Sequence, residues 1–435
     1  MRELETPSAE IAPGEDIATL IAAHAKEGAG RPAVIDGDRR VDWREHGARI
    51  HRLANALIGL GIRKGDRVAT LARNRTEYQE AFLGTLLAGG CAVPLPTMAS
   101  SEALRLMLED SEARILIVSA AYRDQVVSFA QELPKILEGG RVGFDFEDEI
   151  FRGYDAWVDG ASSDAPGVVI DPEDEFDILY SSGTTGVPKG ILHSHRVRVG
   201  LAKVFNAFGF STEAVNMVST PLYSNTTFTT WFPTVWWGGT NVLMAKFDAR
   251  EFLRLVQEHR ATHAMLVPVQ YDRIMRLPDY DDFDHSSMKY KFSTSAPLRE
   301  DLKRKVVEGF EGELVEFYGL TEGGISCTLF ANHFPDKLAS VGIPSGGEIR
   351  IIDEDGKELP PGRAGEIVGR NYNMMRGYVN REKATDEMLW HDAEGNLFFK
   401  TGDVGYFDED GFLFLSDRKK DVIISGGFNV YATDL

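Results

Sequence analysis

The chain has 435 residues, about three times the ~150 of an average domain, with 47 Lys and Arg against 67 Asp and Glu for a formal charge of −20. A field of that sign repels a phosphate backbone and excludes a nucleic-acid-binding role, while 43% hydrophobic and 26% charged residues exclude a disordered chain. Two cysteines, Cys91 and Cys327, give neither a disulfide framework nor a metal-ligand spacing. The first residues lack the basic start and apolar run of a signal peptide, and no stretch approaches the roughly 18 apolar residues of a membrane span. The expectation is a cytoplasmic protein with no integral membrane segment.

In chain order, apolar residues recur at helical spacing over 16–27 and 43–60 (Ile50, Leu53, Ala54, Leu57, Leu60), and Gly59 to Gly61 supply the stop. Between them, Gly28-Ala29-Gly30-Arg31-Pro32-Ala33 meets a loose dinucleotide pattern, but it precedes a strand and Pro32 blocks the helix that would have to follow. Next come a strand over 66–71, a helix over 78–87, a strand over 91–95, a helix over 102–111 and a strand over 114–118. Strands and helices alternating at this interval predict an α/β fold with wound sheets packed by helices. From about 340 to 417 short strands separated by Gly and Asp predict a small β-rich, barrel-like subdomain. Its two Asp-Glu-Asp-Gly stretches, 353–356 and 408–411, lack the further oxygen ligands and closing Glu of a calcium loop and read as hairpin turns.

The most informative stretch is Ser181-Ser182-Gly183-Thr184-Thr185-Gly186-Val187-Pro188-Lys189-Gly190, set between probable strands over 176–180 and 191–193. Its glycines allow consecutive N–H groups to face one point, the hydroxyls add donors, and Lys189 brings a positive charge, so together they make a phosphate cradle. It is not a Walker A loop, which needs four residues between its glycines and Lys-Ser/Thr after the second. His193-Ser194-His195 places two imidazoles on one strand face with no third ligand and reads as the strand's end. Nothing marks Cys327 as a nucleophile.

At this point the chain resembles the adenylate-forming superfamily of acyl- and aryl-CoA synthetases, luciferases and peptide-synthetase adenylation domains, closest in type to the acyl- or aryl-CoA ligases. Four more motifs follow in that family's order: Tyr318-Gly319-Leu320-Thr321-Glu322, Gly365-Glu366-Ile367 leading to Gly377-Tyr378, Thr401-Gly402-Asp403, and Asp417-Arg418-Lys419-Lys420-Asp421 running into Gly426-Gly427-Phe428-Asn429. The resemblance implies an enzyme that activates an apolar carboxylic acid as acyl-AMP and transfers it to CoA, with ATP, Mg²⁺ and CoA as its small-molecule partners. It assigns catalysis to Lys189, Thr321 and Glu322, and Mg²⁺ to Glu322, since a carboxylate suits that hard cation. Asp403 becomes the ribose anchor with Arg418 beside it, Tyr318 stacks on adenine, and Ser295-Ala296-Pro297 form the base's other wall. Gly319 and Gly323 fall in the substrate pocket. Other readings are a non-catalytic binder of ATP and carboxylate, or an adenylating enzyme with another acceptor thiol or oxygen; a homodimer is compatible with each.

Two departures qualify the resemblance. Many relatives carry a His where Pro221-Leu222-Tyr223-Ser224-Asn225 has Ser224, which leaves Tyr223 or Asn225 to take its part. No Asp stands shortly downstream to receive an ammonium, and a buried unpaired ammonium is costly, so an amino acid is disfavoured as substrate. In the aromatic run 228–237, Trp231 and Phe232 are pocket candidates while Trp236 and Trp237 read as a core face. The second departure is that the family continues past Asn429 into a mobile C-terminal domain carrying another catalytic Lys, with Lys420 as the hinge, whereas this sequence stops at Leu435. On this reading residues 1–417 are the large N-terminal domain, 418–435 the hinge and the start of the next, and the chain alone is weakly active.

Overall fold

In the computed structural model, residues 11–12, 14–181, 188–418, 422–425 and 428–431 are described. The helices expected near the N-terminus are Ile17–Glu27 and Trp43–Gly59, each opened by an Asp (Asp16, Asp42) whose carboxylate accepts from the backbone three residues on. That satisfies one of the orphan donors of a first turn. Thr76–Leu87 is buried along its whole length, which is why its apolar period is blurred in the sequence.

Two large sheets carry the fold. One has eight strands in the order Gly377–Tyr378, Lys189–Ser194, Glu175–Ser181, Cys91–Pro94, Arg67–Leu71, Ile115–Val118, Arg141–Gly143, Arg152–Gly153. The other has nine, running from Ile343–Pro344 through Ser326–Phe330, Glu313–Gly319, Tyr290–Ser293, His263–Leu266, Val215–Val218, Thr240–Leu243 and Pro32–Asp36 to Arg39–Asp42. The nine-stranded sheet is parallel in its middle and antiparallel at both edges, whereas the eight-stranded sheet is antiparallel only at its Gly377–Tyr378 edge and parallel through to Arg152–Gly153. Between them the helix Asn225–Trp236 sits in the largest core cluster, with Phe82, Phe176, Phe228, Trp231 and Phe232 in mutual ring contact.

A third, antiparallel sheet is built from Gly347–Ile352, Gly365–Asn371, Leu397–Phe407, Leu389–His391 and Leu413–Arg418. Both Asp-Glu-Asp-Gly stretches are turns within it. Asp353 accepts from the backbone N–H groups of Asp355 and Lys357, and Asp408 from those of Asp410 and Phe412. Gly356 and Gly411 take the left-handed φ (+77° and +81°) that the turns require. One short strand leaves this region: Gly377–Tyr378 pairs with Leu192 and Ile191 at the edge of the eight-stranded sheet. That crossing delivers Tyr378 to the strand that begins at Lys189.

Candidate active site

The phosphate-loop strands are longer than their apolar cores suggested. Glu175–Ser181 and Lys189–Ser194 run antiparallel, and Ser181 faces Lys189 across the pair. Ser182, Gly183, Thr184, Thr185 and Gly186 lie outside the described residues, as does Lys420. The Lys189 ammonium rests over the Tyr378 ring, 5.1 Å from its centroid, and the Tyr378 hydroxyl donates to Glu322 Oε1 at 2.8 Å. Thr321 and Glu322 occupy the turn after Glu313–Gly319, where the Glu322 carbonyl accepts from Met375 N–H at 2.8 Å. Gly323 follows at φ +72°, and a Cβ there would fall 1.9 Å from the Asn373 carbonyl oxygen. The backbone of 371–375 therefore packs against this turn as only glycine permits. Gly319 is less tightly enclosed, with Ile325 O 3.0 Å from where a Cβ would stand.

A second group lies where the nine-stranded sheet meets the antiparallel one. The Tyr318 hydroxyl donates to Asp403 Oδ2 at 2.7 Å, and burial, with the Asp403 charge adding to it, pushes that phenol well above its ordinary range. Asp403 itself is almost wholly buried, its N–H donating to Thr401 Oγ1. Its strand pairs Asp403 with Arg418 in register; the Arg418 side chain is outside the described part. Tyr318 and Asp403, which the motifs place 85 positions apart, thus form one unit.

A third group surrounds the start of Asn225–Trp236. Ser224, standing where relatives have His, is the helix N-cap and accepts from Thr226 N–H, a role imidazole fills poorly. Burial raises the Tyr223 phenol, against a hydrogen bond with Thr97. Ser295 has φ +75°, in the left-handed region, and its hydroxyl is hydrogen-bonded to that of Thr226. Ala296 and Pro297 continue that loop, which Leu298 N–H anchors on Glu316. Trp231 and Phe232 have no exposed surface and pack with the buried Phe228 in the core, while Trp236 is buried and Trp237 half-buried, its indole N–H on the Ala202 carbonyl.

Sequence reasoning missed three residues that join these groups. Asp177, 0% exposed, accepts from His193 Nδ1 at 2.8 Å and from Arg198 at 2.7 Å. The other His193 nitrogen, Nε2, meets the Thr321 carbonyl at 2.7 Å. Arg198 also donates to Asn225 Oδ1 at 2.8 Å and lies 4.3 Å over the Phe228 ring. Burial alone would raise Asp177, but the adjacent Arg198 and His193 hold it below the usual carboxylate range. A signal existed: Asp177 and His193 are polar residues in two apolar strands, and the antiparallel pairing sets them opposite one another. His193–Ser194 does end its strand, with Ser194 capping the helix His195–Val204.

Residues 21–379 match the AMP-binding enzyme family. The chain belongs to that family. It is 31% identical over 407 residues to a feruloyl-CoA synthase of Amycolatopsis sp, covering 93% of this chain and 78% of that protein. It is 30% identical over 404 residues to the long-chain-fatty-acid–CoA ligase FadD13 of Mycobacterium tuberculosis, covering 92% and 77%. Among solved structures, the inhibitor-bound N-terminal domain of FACL13 from Mycobacterium tuberculosis superposes with a TM-score of 0.82 at 26% identity, covering 93% of this chain and 99% of that one. ATP-bound MatB from Rhodopseudomonas palustris gives 0.79 at 30%, covering 95% and 81%.

The side chains fit the nucleotide and cation that this AMP-binding family implies. No carboxylate among the described residues pairs with the Lys189 ammonium, which sits on an aromatic face and is free to meet a phosphate. No cluster of three His, Cys, Asp or Glu among the described residues is arranged to hold a metal. A single carboxylate, Glu322, suits Mg²⁺, which is commonly held by one or two carboxylates together with substrate phosphates and water.

Proposed function

We infer that this chain is an ATP-dependent, AMP-forming acid–CoA ligase. The observation that carries the reading is the meeting of Lys189 and Glu322 on opposite parts of Tyr378, in a family whose members here are named as CoA ligases. In the first half-reaction the acid's carboxylate oxygen attacks the α-phosphorus of ATP, the bond to the bridging oxygen breaks, and pyrophosphate leaves. The nucleophile is already anionic, so the site needs no general base, only in-line placement and charge compensation. Lys189 offers compensation to the phosphates, and Glu322, held by Tyr378, is the ligand for Mg²⁺. When bound, that cation neutralises phosphate charge. Asp403, presented by Tyr318, takes the ribose hydroxyls, and the loop at Ser295–Pro297 lies against the base. In the second half-reaction the CoA thiol attacks the acyl carbonyl, loses its proton, and displaces AMP.

The acid is apolar: relatives are named for ferulate, 4-coumarate and long-chain fatty acids, and Tyr223, Asn225, Gly319 and Gly323 are its proposed contacts, backed by Trp231 and Phe232. Acid-dependent exchange of labelled pyrophosphate into ATP, followed by CoA-ester detection by mass spectrometry, tests the reading. Exchange with ferulate or dodecanoate and none with phenylalanine is the expected result; absence of exchange with every acid contradicts it.

A further inference from the structure

We propose that Arg198 is a positioning residue that turns the amide nitrogen of Asn225 toward the substrate carboxylate, with Asp177 as its fixed anchor. The inference rests on the adenylating function inferred above. A guanidinium only donates, so the Asn225 atom that Arg198 meets at 2.8 Å must be the carbonyl oxygen. Fixing that oxygen fixes the other end of the amide as an N–H₂ group. No described residue accepts from it, and Asn225 is only half-buried. The acceptor that suits it is an anionic oxygen from outside the chain.

Arg198 cannot swing away. Its Nη2 donates to Asp177 Oδ2, it is 3% exposed, and its guanidinium lies over Phe228, three residues beyond Asn225 on the same helix. The same carboxylate holds His193 against the Thr321 carbonyl. One buried anion therefore sets both the acid-facing amide and the turn that carries Glu322. Burying three ionisable side chains is costly, and apolar residues of equal volume often stabilise as well. What apolar replacements lack is a directional hold on Asn225 and on Thr321. This also accounts for Ser224: with the family's usual imidazole absent and Ser224 engaged as a cap, the neighbouring amide supplies the donor.

The test uses the full chain and whichever of ferulate, dodecanoate and benzoate the wild type exchanges fastest. Asn225→Ala should raise the KM for the acid by roughly tenfold, the loss expected for a hydrogen bond to a charged group, with the ATP dissociation constant from calorimetry within twofold of wild type. Arg198→Lys keeps the charge beside Asp177 but loses the fork, and should raise the acid KM several-fold. Because Arg198 acts through Asn225, the double variant should be no worse than Asn225→Ala alone. Asn225→Asp gives Arg198 a stronger partner and so keeps the fold, and its negative charge should raise the acid KM beyond that of the Ala variant. Additive single effects, or an unchanged acid KM in either Asn225 variant while the wild type is active, overturn the role of Arg198 and Asn225 only. A wild type inactive with all three acids that still binds ATP overturns the adenylating function too.

Discussion

At the proposed phosphate site, Lys189 and Glu322 meet on a single tyrosine and keep much of their donor and acceptor capacity for a ligand. At the proposed acid site, Asn225 is held by a guanidinium whose counter-charge has no exposed surface at all. The first arrangement is poised and light in partners; the second is anchored in the core. Substitutions at the first should therefore act on rate and on Mg²⁺ demand, and those at the second on affinity for the acid.

Breaking the proposed phosphate site has the largest expected effect. Glu322→Gln keeps an oxygen for the Tyr378 hydroxyl but loses the charge, and adenylation should fall by about 10²-fold or more. Exchange measured at limiting Mg²⁺ checks it, and wild-type rates there would remove Glu322 from the cation's site. Tyr378→Phe sharpens the same point. The ring under Lys189 stays while the hydroxyl to Glu322 goes, and a lost outer-shell hydrogen bond commonly costs 10- to 100-fold in metal affinity or activity. Half-saturation by Mg²⁺, read both from exchange and from calorimetric titration in the presence of ATP, should rise by about tenfold.

The proposed ribose site is predicted to behave like the proposed acid site, since Asp403 is nearly buried and prearranged by Tyr318. Asp403→Ala should raise the ATP KM by roughly tenfold with little change in kcat, because ribose contacts persist from ground state to transition state. A fall in kcat at constant KM would move Asp403 closer to the chemistry.

A pH effect separates the site from its scaffold. Burial pushes His46 down to about 3 and His195 and His263 to about 4, from an ordinary value of 6.5. Between those limits the unfolded chain binds protons that the folded chain does not. The stability these neutral imidazoles contribute is therefore present above the ordinary value of 6.5 and is lost progressively as the pH drops toward 4. Urea unfolding at pH 7 and pH 5 checks this, and His46→Asn should flatten the slope.

The wound sheets were legible because their strands are short apolar runs between amphipathic helices, and Lys189, Thr321, Glu322 and Asp403 because each belongs to a contiguous motif. Contacts between motifs were not. Tyr378 is visible as part of Gly377-Tyr378, but its position between Lys189 and Glu322 follows from a two-residue strand crossing to another sheet. His193 read as the end of a strand because its meaning depends on Asp177 opposite and on Arg198 one helical turn beyond. In 228–237 the family resemblance offered Trp231 and Phe232 as pocket candidates and Trp236 and Trp237 as a core face; Trp231, Phe232 and Trp236 are all buried, and Trp237 keeps partial exposure.

Attack of the acid's oxygen on the α-phosphorus is the central claim, and isotope transfer tests it most directly. The chain is incubated with ATP, Mg²⁺, CoA and an active acid labelled with ¹⁸O in both carboxylate positions, and the products are weighed by mass spectrometry. The account predicts AMP carrying one ¹⁸O atom and unlabelled pyrophosphate. Unlabelled AMP, or ADP with the label in inorganic phosphate, would contradict it.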